Sequence, residues 1–142
     1  MMYLEGQLLK ISPFEFKNGN APKPKYYVVL KHIDDEVMMA SLPTSKDHIP
    51  SDAVVSDGCV DIHERQVNAF VFSPTTQVTE KFCFSLPTFV YGEGVDEYEQ
   101  QYLDAMDAEI EDLGNMEPTL FQQLKDCIKK AVLLKRKYRR IL

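Results

Sequence analysis

Seven residues fall in two short stretches whose side chains could do chemistry together: Lys23, Lys25 and Tyr26 in the first, Thr44, Ser45, Lys46 and His48 in the second. Ammonium groups and hydroxyl donors suit an oxyanion, because charge-assisted hydrogen bonds are the strong ones. An imidazole gains and loses a proton near neutral pH. What could bring the stretches together is the chain between them. Tyr26 to Leu30 is a β-branched and aromatic run that fits a pleated, half-buried surface. Asp34-Asp35-Glu36 is a polar break, and Val37 to Leu42 is a second apolar run that Pro43 ends, since proline cannot donate to a ladder. The tight connection predicts an antiparallel hairpin. The start of one strand then lies beside the end of the other. The competing reading is plain: Thr44-Ser45 is a turn after Pro43, and the lysines are solvated edge residues that protect exposed strands.

The remaining segments read as a frame for this hairpin. Residues 1–11 predict a first strand, with a bulge at Gly6. Residues 12–24 form a long loop marked by Asn18-Gly19 and Pro22-Lys23-Pro24, in which Phe14 and Phe16 alternate with Glu15 and Lys17 as in a short flap. Short strands follow over 59–62, 67–73, 78–84 and 88–91, a pattern of a small antiparallel barrel or sandwich. From Val95 the spacing predicts a helix that opens with acids and ends at Gly114, with Tyr98, Tyr102, Met106, Ile110 and Leu113 as its stripe. A second helix starts near Pro118-Thr119, with Thr119 and Gln122 as a capping box. Its seam is Leu120, Leu124, Cys127, Ala131, Leu134, Tyr138 and Ile141. Together these predict one α+β domain over 1–142, with a β-barrel in 1–94 and a helical extension of two C-terminal helices in 95–142.

Composition narrows the function classes. The chain has 142 residues, 44% hydrophobic and 27% charged, enough for a core in one ordinary domain. No apolar run is long enough to span a bilayer, and the first residues read as a strand and not a secretory signal. The net charge of −6 argues against a whole-surface grip on nucleic acid. Cations cluster only in 129–140, where seven stand with no acid; they suit a solvated helix end better than a nucleic-acid patch. Cys59, Cys83 and Cys127 are odd in number and form no CxxC pair, so reduced cytosolic thiols packed as small hydrophobes are expected, without a disulfide or a structural zinc. His63-Glu64 lacks a second histidine at ligand spacing, Asp34-Asp35-Glu36 reads as a turn, and His32 reads as a cross-strand packing residue; no metal or cofactor is expected.

The residues Pro24-Lys25-Tyr26, Val28-Val29-Leu30 and Leu42-Pro43-Thr44-Ser45-Lys46 resemble the MazF/PemK family of toxins from toxin–antitoxin systems. The specific part of the likeness lies in residues 22–47. It implies an SH3-like β-barrel with helices, a cytoplasmic homodimer, an antitoxin protein as partner, and ribosome-independent endoribonuclease cleavage of single-stranded RNA. Metal-free RNA cleavage needs a base for the 2′-hydroxyl, a cation or donor for charge on phosphorus, and an acid for the leaving oxygen. On this likeness Lys25 would stabilise the phosphate, Thr44 would donate to a non-bridging oxygen, and His48 would serve as acid or base. Lys23, Ser45 and Lys46 would hold the backbone, and Tyr26 or Phe14 would stack a base. The chain departs from the family where Arg-Pro is replaced by Lys25-Tyr26, since lysine lacks the planar fork of arginine. Two alternatives stand beside an active nuclease: a diverged member without activity, and a non-enzymatic protein-interaction module on the same barrel.

Overall fold

Residues 2–12, 24–44 and 57–142 are described by a computed structural model of the chain. In chain order the strands are β1 (Gln7–Ile11), β2 (Lys25–Ile33), β3 (Glu36–Ser41), β4 (Gly58–Ile62), β5 (Val67–Phe72), β6 (Thr88–Val90), β7 (Val95–Glu99) and β8 (Ile110–Asn115). The helices are α1 (Gln100–Ala105), α2 (Pro118–Ile128) and α3 (Arg136–Ile141). The fold is α+β with antiparallel sheets. One sheet has five strands in the order β7-β3-β2-β1-β8, and a second has three in the order β4-β5-β6. Among the described residues no ladder closes the two into one ring. They are joined where the Phe89 N–H, on β6, donates to the Pro43 carbonyl just past β3 at 2.8 Å.

The central strand β2 explains the architecture. Its residues Val28, Val29 and Leu30 are all fully buried, yet a strand points successive side chains to opposite faces. Both faces of the five-stranded sheet are therefore covered. Val28 and Leu30 enter a core with Leu8, Met38 and Ala40, closed by Phe70 and Phe72 of the small sheet and by Leu124 and Ile128 of α2. Val29 enters a second core with Leu9, Ile11, Val37 and Met39, closed by Tyr3 and by Leu103 of α1. Each such aliphatic burial contributes about 1.5–3 kcal/mol. The β2–β3 hairpin expected from the sequence is present, with Ile33 paired to Glu36. Asp34 makes the turn at φ 51, a left-handed conformation that aspartate tolerates.

The helix expected over 95–114 is replaced by strand, short helix and strand. The last step of its stripe, from Ile110 to Leu113, is three residues, which share a face on a helix but occupy opposite faces on a strand. Val95 joins the first core and Tyr98 packs on the second; Leu113 joins the first and Ile110 the second. A sheet buried on both faces thus mimics helical spacing. The second helix is also shorter than expected. It ends at Ile128, and α3 resumes at Arg136. The seam nevertheless holds, since Leu124, Cys127, Ala131, Leu134 and Tyr138 are all buried in the first core. Arg139 makes the break tolerable: its Nε donates to the Lys129 carbonyl at 3.0 Å and its Nη2 to the Ala131 carbonyl. The cap of α2 is Glu117, whose carboxylate accepts from the N–H groups of Thr119 and Leu120 at 3.0 Å each. Gln122, expected in a capping box, instead donates to Asp126 at 2.9 Å.

The cysteine expectation is overturned. Cys59 and Cys127 form a disulfide across 68 positions, with their Cα atoms 5.5 Å apart. The cause is topological: β4 is paired to β5, and α2 packs across both. Cys83 is free but exposed, and so is not a core residue.

Candidate functional site

The expected site lies at the open end of the β2–β3 hairpin. Tyr27 pairs with Ser41, and the Leu42 N–H donates to the Tyr26 carbonyl at 3.0 Å. Lys25 opens β2 at this end, and Thr44 follows Pro43 just past the end of β3. The structure therefore brings Lys25 and Thr44 to one end of a rigid pair of strands. Lys25 is half-buried and Thr44 exposed. Lys25 is also paired to Ile11 of β1, so it sits inside the five-stranded sheet and not on a free edge. Lys23, Ser45, Lys46, His48 and Phe14 lie outside the described residues.

Tyr26 is occupied otherwise than expected. Its ring packs on Phe84 at 5.2 Å and Phe82 at 5.5 Å, so it belongs to an aromatic cluster at the margin of the first core. The neighbouring Tyr27 is no base: burial first, and then Tyr98 beside it, push its phenol far above the ordinary tyrosine value. It remains a neutral hydroxyl at any physiological pH.

The acids gather elsewhere. A groove of about 760 Å³ is lined by Glu5, Glu80 and Glu117 with Phe121, and Lys125 lies over the Phe121 ring at 4.7 Å. A cleft of about 500 Å³ at the hairpin turn is lined by Asp35, Glu36, Glu99 and Asp104. Both would repel a phosphate chain. Among the described residues no group of three His, Cys, Asp or Glu is arranged to hold a metal ion. Asp34 and Asp35 make the hairpin turn, and Glu36 opens β3 opposite Ile33. His32 does more than pack between strands. Its Nδ1 lies 3.2 Å from the Tyr3 carbonyl and its Nε2 2.9 Å from Gln100 Oε1, tying the N-terminal segment to α1.

The basic C-terminal end is partly structural. Lys137 pairs with Glu97 at 2.5 Å, and Arg139 is spent on carbonyls. Among the described residues no helix is long and apolar enough to cross a membrane. Sequence reasoning missed the Cys59–Cys127 pair and Asn68, whose Nδ2 donates to the Cys127 carbonyl at 2.8 Å. It also missed Gly92, against which Ala131 and Leu134 pack. The alternating Val67, Ala69 and Val71 place Asn68 on the opposite face of β5, the one local signal available. A scan against protein-family models and a search of curated proteins find no match to this chain.

Proposed function

We propose that the chain is a toxin-type endoribonuclease of the MazF/PemK kind, acting on single-stranded RNA in the cytoplasm. The observation that supports the reading is the antiparallel β2–β3 hairpin, with Lys25 opening β2 and Thr44 following β3 at the same end. A cation and a donor fixed to a rigid sheet suit the charge that builds on phosphorus, because they need no reorganisation during the reaction. The link from Phe89 to Pro43, which draws the small sheet to this end, supports an SH3-like barrel as the frame. On this reading the chain works as a homodimer and is held in check by an antitoxin protein. The test is inducible expression. Wild type should halt growth, Lys25→Ala and Thr44→Ala should each relieve the arrest, and a protein encoded by the adjacent gene should rescue it.

A second reading is a non-enzymatic protein-interaction module on the same barrel. It is favoured by the packing of Tyr26 on Phe82 and Phe84, which takes a base-stacking ring out of service, and by the carboxylates that line both clefts. Unimpaired growth on expression of the wild-type chain would select this reading over the nuclease.

A further inference from the structure

The Cys59–Cys127 disulfide joins an edge to a core. Cys59 stands on β4, at the margin of the small sheet, and is exposed; Cys127 is 1% exposed in the last turn of α2. A thiol from solution therefore meets one sulfur and not the other. The buried sulfur lies among groups that suit a free thiol. The Ala69 carbonyl is 3.6 Å from Cys127 Sγ, an acceptor that a disulfide sulfur cannot serve and a thiol can. Asn68 Nδ2 is 3.8 Å from the same sulfur and is anchored to the Cys127 carbonyl and to Asp61 Oδ1. That anchoring fixes the orientation of the amide. Its Oδ1 is left buried and, among the described residues, without a hydrogen-bond partner. An unpaired buried acceptor is uncommon in a folded protein, and this one belongs to the side chain that holds the Cys127 carbonyl.

We propose that this disulfide is a thiol-exchange site whose reactant is a small thiol of the glutathione class, attacking at Cys59. The incoming thiolate forms a bond to Cys59 Sγ as the Cys59–Cys127 bond breaks, and Cys127 leaves with the electron pair. The negative end of α2 disfavours a thiolate there. Cys127 therefore takes up the proton that the attacking thiol released and donates to the Ala69 carbonyl. A second thiol then attacks its own kind in the mixed disulfide and frees Cys59. The sum is one protein disulfide and two small thiols giving two cysteine thiols and one small disulfide. Opening the bond releases the covalent hold of α2 on β4.

The experiment uses the full chain carrying Cys83→Ser, which removes the free exposed thiol. The protein is equilibrated in graded reduced and oxidised glutathione, quenched with acid, alkylated and read by mass spectrometry. The disulfide is expected to open within the millimolar range of reduced glutathione and to close again on oxidation. Adding Cys127→Ser should trap one glutathione on Cys59, whereas Cys59→Ser should leave Cys127 modified about tenfold more slowly, as its burial requires. The melting temperature should fall by about 15 °C on reduction, as the release of a loop of this length implies. A disulfide that survives millimolar glutathione in the folded protein, or equal reactivity at the two cysteines, or an unchanged melting temperature, would each overturn the proposal.

Discussion

Gly92 is the sharpest structural test available, because its replacement should fail for a reason of ångströms. A methyl built on Gly92 would lie 2.4 Å from Ala131 Cβ and 3.5 Å from both Leu134 Cβ and the Leu134 backbone nitrogen. Carbon atoms in contact sit at about 3.5–4.0 Å, so the new methyl is short by more than an ångström. Gly92 is not among the residues of positive φ, so any cost is steric and not conformational. Ala131 cannot step aside cheaply: its N–H donates to the Ile128 carbonyl at 3.0 Å and its carbonyl accepts from Arg139. Overpacking of this kind costs about 1–3 kcal/mol. With an unfolding entropy of about 2.1 cal/mol/K per residue, Gly92→Ala should lower the melting temperature by about 3–10 °C. The double variant Gly92→Ala with Ala131→Gly returns a single methyl to the gap and should recover most of that loss, a coupling above about 1 kcal/mol. Gly58→Ala is the control. Nothing lies within 4 Å of its added carbon, but its φ is 85, so its cost is backbone strain that Ala131→Gly leaves untouched. Unfolding in denaturant gives all the values. A Gly92→Ala protein as stable as wild type, or two single costs that simply add, would refute the packing described for this turn.

Three further outcomes are expected. Leu124→Ala, at a side chain that is fully buried where α2 meets the first core, should cost about 2–5 kcal/mol in chemical denaturation; a loss below about 1 kcal/mol would contradict the placement of α2. Thr79→Val removes the hydroxyl that donates to the Leu113 carbonyl at 2.6 Å and accepts from the Lys81 N–H at 3.2 Å, at about 1–3 kcal/mol; an unchanged denaturation midpoint would count against these bonds. The Glu117 carboxyl is held below its ordinary value by the Thr119 N–H and then the Leu120 N–H. Its contribution is fully present above the ordinary glutamate pKa and is lost as pH falls through the lowered one. The melting-temperature gap between wild type and Glu117→Gln should therefore narrow on acidification, and a gap that stays constant from neutral to acid pH would contradict the cap.

The parts of the fold legible in the sequence were those set by local contrast. Tyr26 to Leu30, the Asp34-Asp35 break and Pro43 specify the hairpin because apolar run, turn and stop all lie within one short stretch. The seam from Leu120 to Ile141 was legible too, since every member meets the first core even where 129–135 is not helical. Residues 95–115 were not. A pair three apart such as Ile110 and Leu113 satisfies a helix stripe, and only a sheet covered on both faces reveals the other solution. The Cys59–Cys127 bond was beyond reach for another reason, because nothing local to either cysteine encodes that α2 crosses β4. Of the candidate site, the shared end of the hairpin at which Lys25 and Thr44 lie was legible from the two apolar runs and Pro43. The diversion of Tyr26 did not, since Phe82 and Phe84 lie more than fifty positions away in sequence and come to it only through the packing of the first core.

The nuclease reading stands or falls on one measurement: cleavage of a long single-stranded RNA by the purified chain, compared with Lys25→Ala and Thr44→Ala of equal stability. The reading predicts defined RNA fragments with wild type and a loss of about 10²–10³ in rate in each variant, the size expected when a donor to developing charge is removed. Cleavage that continues unchanged in both variants would contradict it, because neither the Lys25 cation nor the Thr44 hydroxyl would then take part in the reaction.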